Sequence, residues 1–101
     1  MRISNMTSSN GNKVANQFLV EGVGAGRFWN KEERLRSGDA FQSYNSMIAF
    51  RDHQGQVYLD ENYWDYSVTT GKYRNQFLGE KKAETERKIK AGVYKLVDLN
   101  N

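Results

Sequence analysis

The 101-residue sequence contains no cysteine. That excludes a disulfide framework and any thiolate-bound metal, and it fits a reducing, cytoplasmic setting. It has one histidine, His53, within Asp52-His53-Gln54-Gly55. Aspartate first and glycine last match a type I turn, and no neighbouring pattern supplies the partners that metal binding or acid–base catalysis needs. No apolar run approaches the roughly 20 residues of a membrane span, and the opening MRISNMTSSNGN lacks the apolar stretch of a secretory signal. Apolar residues are sparse at 38%, yet aromatics reach 13%. Large rings bury much area each, so few residues suffice for one modest core. The expectation is a mobile Ser/Asn/Gly-rich arm at 1–12 followed by a single domain over 13–101.

What the chain does have is an uneven charge. The net charge is +3, but residues 51–71 carry −3 and residues 72–95 carry +5. Between these blocks runs 57–79, VYLDENYWDYSVTTGKYRNQFLG, which holds six of the thirteen aromatics: Tyr58, Tyr63, Trp64, Tyr66, Tyr73 and Phe77. A core in so short a chain has to be organised around this stretch.

Strand patterns occur at 13–21 and 40–44, then at 46–51 and 56–60 around the Asp52–Gly55 turn, with a bend at 44–46. Thr69 suits an N-cap, with Val68 and Tyr73 spaced as a hydrophobic staple, and Gly79 suits a helix stop. Residues 80–91 read as a second helix ended by Gly92, carrying Glu84–Lys88 and Glu86–Lys90 pairs. Residues 93–99 read as a last, well-covered strand, being apolar on both faces. The fold class is α+β: a small, mainly antiparallel sheet of about four to five strands, with two helices between the fourth strand and the last.

No catalytic, cofactor or metal signature emerges. GVGAG at 22–26 lacks a glycine at Arg27, where a dinucleotide fingerprint needs one. TTGK at 69–72 lacks the upstream glycine and trailing Ser/Thr of a P-loop. Three surfaces stand out instead. The glycine-flanked loop at 22–38 sets Phe28 and Trp29 among Arg27, Lys31, Arg34 and Arg36, with a short helix over 29–36, and exposed aromatics beside cations suit a contact hot spot. Asp60, Glu61 and Asp65 form an acidic patch. Lys72, Arg74, Lys81, Lys82, Arg87 and Lys88, with Lys90, Lys95 and interleaved tyrosines, form a basic set suited to phosphates, although Glu80, Glu84 and Glu86 interrupt it.

The segments FQSYNSMIAF (41–50) and VYLDENYWDYSVTTGKYRNQFLGE (57–80) resemble small accessory proteins of bacteriophages and mobile elements. Such proteins often bind and block host machinery, including CRISPR effector nucleases. The resemblance implies a non-enzymatic, cytoplasmic protein that inhibits a host defence protein through the 22–38 loop and the acidic patch. Two other readings stand beside it: a small DNA- or RNA-binding regulator using 72–95, and a binder of a nucleotide signal. No cofactor and no membrane contact are expected. Edge strands in so small a sheet leave room for a homodimer.

Overall fold

The computed structural model describes residues 1–24 and 37–100. Within them, β1 (Arg2–Thr7), β2 (Lys13–Val23), β3 (Gly38–Ser43), β4 (Ser46–Asp52), β5 (Val57–Asp60) and β6 (Lys95–Val97) form one sheet in sequence order. The first five strands pair antiparallel. β6 joins β5 in parallel, which makes the sheet mixed. A tight turn cannot return a chain to a parallel partner, and here α1 (Val68–Leu78) and α2 (Lys82–Lys90) lie along the crossover.

The described sheet has six strands, more than expected, because residues 1–12 are not a free arm. Residues 2–7 are β1, in register with β2 from Arg2↔Glu21 to Thr7↔Lys13. Only Met6 of this strand is buried. An outermost strand needs little apolar pattern, since backbone bonds to its single neighbour hold it, and Asn5 adds a bond to the Val14 carbonyl at 3.0 Å.

Both faces of the sheet are buried at its centre. One carries Phe41, Ile48 and Leu59 beneath Tyr73, Phe77, Leu78 and Ile89 of the helices, with the Phe41 and Phe77 rings 6.2 Å apart. The other gathers Val20, Val23, Ala40, Phe50 and Tyr58 with Leu99. The last strand is shorter and more exposed than its composition suggested. Only Lys95–Val97 pair, at the sheet's edge, and Leu96 is 43% exposed. Tyr94 and Leu99, which made the segment look interior, pack beyond its ends, on opposite faces of the sheet.

α1 also begins earlier than expected. Ser67, not Thr69, is its N-cap: in extended conformation, its Oγ accepts from the Thr70 amide at 3.1 Å. Val68 makes no staple, being 92% exposed. Gly79 ends the helix at φ 72° and donates to the Asn75 carbonyl, and Gly92 follows α2 at φ 77°. Both sit in the left-handed region that only glycine enters freely.

Candidate functional site

The segment that carries the chain from β5 into α1 is built on two buried charges. Asp60 is fully buried. Its Oδ2 accepts from the amides of Asn62 (3.0 Å) and Tyr63 (2.9 Å), and its Oδ1 accepts from Leu99 (2.9 Å). Three amides occupy the carboxylate, which pins both the junction and the C-terminal segment. Asp60 is therefore no part of an acidic surface, a correction to the sequence expectation. It ends a strand buried on both faces, so its side chain turns inward. Glu61 is exposed.

The second charge is Arg74, 1% exposed on α1. It donates to the Trp64 carbonyl (2.7 Å), to Asp65 (3.3 Å) and to the Asn75 side chain (3.0 Å), and its guanidinium lies 5.3 Å from the centre of the Trp64 ring. It clamps the junction from inside and offers nothing to a phosphate, which corrects its place among the nucleic-acid candidates. Asp65 is partly exposed and also binds Lys82 at 2.6 Å. The Lys82 hydrogen bond foremost, opposed next by desolvation and then helped by Arg74, holds its carboxyl below the ordinary value.

The rest of the basic set is largely committed too. Arg87 pairs with Glu84, and Lys88 pairs with Glu80 at 2.7 Å. Lys72, Lys81 and Lys90 have no carboxylate partner among the described residues. Three such cations are a thin electrostatic footprint for a nucleic-acid surface. Arg27, Phe28, Trp29, Lys31, Arg34 and Arg36, with the expected helix at 29–36, lie outside the described residues. His53 is an exposed turn residue beside Asp52, whose Oδ1 accepts from the amides of Gln54 and Gln56. Among the described residues no cluster of His, Cys, Asp or Glu could hold a metal, and no helix is long and apolar enough to cross a membrane.

Two hollows meet at Ser67. On one side a trough of about 740 Å³ runs along α1, lined by Asp65, Val68, Gly71, Lys72, Arg74 and Lys82 among others. On the other a recess of about 540 Å³ opens between the β3–β4 turn at 43–46 and the residues Tyr63, Tyr66, Ser67 and Thr69. Its size falls within the roughly 300–1,000 Å³ of small-molecule sites. Tyr44 and Tyr66 stand 54% and 65% exposed. The sequence reading put Asp65, Lys72, Arg74 and Lys82 on its surfaces but missed Tyr44, Tyr63, Tyr66 and Val68. The available signal was Ser67 three residues before Thr70, a capping spacing that would have placed the helix start here and left its flanking rings at the surface.

No curated protein and no solved structure matches the chain. A family model does, over residues 1–92, and the chain belongs to that family, a family of unknown function (DUF8033).

Proposed function

We propose that this protein is a non-enzymatic binding protein that inhibits a host defence protein, such as a CRISPR effector nuclease, by direct protein–protein contact. The observation that carries the contact is Val68. It is the most exposed large apolar residue described, at 92%, on the first turn of a capped helix. Exposed Tyr66 lies two residues before it, and Asp65, Lys72 and Lys82 line the same trough. An apolar centre inside a rim of both charge signs has the anatomy of a recognition patch. The cap and the Arg74 clamp hold that patch in shape before a partner arrives, which lowers the ordering cost of binding. The resemblance of 41–50 and 57–80 to phage accessory proteins supports a defence factor as the partner.

Affinity capture from host lysate, with a nuclease-treated control, tests the reading. A stoichiometric protein partner should survive nuclease treatment, be lost on Val68→Asp, and lose its own activity when wild-type protein is added. Recovery of nucleic acid alone, in a salt-sensitive way, would reject it.

A further inference from the structure

We propose that the recess between the β3–β4 turn and the entrance to α1 binds an uncharged, polyhydroxylated ring, that is, a saccharide unit. None of its lining residues is charged. An ionic ligand would be stripped of water there without a counter-charge, so the recess selects a neutral one. Its polar lining is hydroxyl and amide: Ser43, Asn45, Ser46, Ser67 and Thr69. Side-chain hydroxyls and amides offer both donors and acceptors, as sugar hydroxyls require. Two hydroxyls are already oriented. Ser43 Oγ and Thr70 Oγ1 share a bond of 2.9 Å, and Ser67 Oγ donates to the same Thr70 oxygen at 3.1 Å.

The rest of the lining is three tyrosines, Tyr44, Tyr63 and Tyr66, with Ile48. Tyr63 and Tyr66 meet edge to face, centroids 5.8 Å apart at 68°, so they stand as an angled wall instead of stacking closed. The electron-rich face of such a ring attracts the weakly positive C–H edge of a saturated ring laid against it. Tyr44 supplies the opposite rim, and its backbone sits at φ 54°, a left-handed conformation unfavourable for tyrosine. A glycine or asparagine would relieve that strain. Strain retained at the lip of a recess is the pattern of a functional constraint. Gln17, outside the lining itself, is fully buried and directly across from the lining residue Ser43 in the β2–β3 register. Both ends of its amide lack a partner.

The proposal does not rest on the protein-contact reading, and the two can fail separately. The test is an amide-shift titration of ¹⁵N-labelled protein with a panel of neutral saccharides including cellobiose and maltose, and with adenosine and adenosine monophosphate in parallel. At least one saccharide should shift residues 43–48 and 63–69 selectively, and Asn45→Ala and Tyr66→Ala should abolish the shifts. Tyr44→Gly should weaken binding by roughly tenfold or more, while its melting temperature rises because the strain is gone. Val68→Asp should leave the shifts intact. The proposal falls if no saccharide in the panel moves these residues, or if only adenosine or its phosphate does.

Discussion

A Cβ at Gly38 would stand 2.0 Å from the Arg51 carbonyl oxygen and 2.6 Å from the Asp52 Cα, both backbone atoms of the neighbouring strand. The atoms nearest to a Cβ at Gly71 would be those of the Arg74 guanidinium, at 3.6 Å, an ordinary contact. Alanine should therefore act in opposite directions at the two sites. Gly38→Ala should cost about 3 kcal/mol or more, since the paired strands have to separate. Gly71→Ala should stabilise by about 1 kcal/mol through helix propensity, raising the melting temperature by roughly 4–8 °C for a domain near this size. Asp60 and Glu61 make a second contrast. Asp60→Ala strands three amides, at about 1–3 kcal/mol for each left buried, whereas Glu61→Ala should stay within about 0.5 kcal/mol. Urea denaturation of the four variants checks all of this. The sequence could show that these positions carry glycine or a carboxylate. It could not show which of them faces a neighbouring strand.

Side-chain bonds at the helix ends add to the apolar contacts that Tyr73, Phe77, Leu78 and Ile89 make with the sheet. Ser67→Ala should cost about 1 kcal/mol, the usual value of a lost N-cap, with Thr69→Ala nearly neutral. α2 is attached through Glu80, whose side chain is 8% exposed. Glu80 accepts from Thr85 (2.6 Å), Lys88 (2.7 Å) and Tyr94 (2.8 Å), joining the α1–α2 corner to the segment leading into β6. Burial pushes the Glu80 carboxyl up, but these three donors, Lys88 first, outweigh it and hold the carboxyl below its ordinary value of 4.5. A carboxyl depressed in the folded state contributes stability fully above its unfolded value and loses it as pH falls through the folded one. Thermal melts should therefore show wild type falling toward Glu80→Gln as the pH drops below the ordinary value of 4.5. A gap between the two that persisted unchanged in acid would refute the assignment. The helix stops at Gly79 and Gly92 were legible because a left-handed glycine after a helical run is a local signal. The Glu80 bonds were not: Tyr94 lies fourteen residues away in the chain, and the helical spacing rule pairs Lys88 with Glu84, which it approaches only at 3.9 Å.

At the scale of the whole molecule, β1 shields the longer of the two sheet edges. β2 has eleven residues, and among the described residues β1 is the strand that covers its outer side. Removing residues 1–7 should bare that row of unpaired backbone groups and expose the cluster around Met6. Light scattering should then show self-association where the full chain shows none or less. A truncated chain scattering like the full one would mean that this edge is held by something other than β1. The opposite edge is only the three residues of β6, too short to template extensive pairing.

Residue order alone determined the α+β class, the β4–β5 hairpin with its Asp52–Gly55 turn, and the two helices with their glycine stops. Each is written in a window of a few residues, as alternation, turn chemistry or capping. Only the tertiary structure decided that residues 2–7 add a strand, that Asp60 and Arg74 are buried clamps, that Lys82 pairs with Asp65 and Lys88 with Glu80, and that a turn at 43–46 and a segment at 63–69 enclose one recess. Those outcomes depend on which distant segments meet across the sheet, and a long-range contact leaves no pattern in the local sequence of either partner.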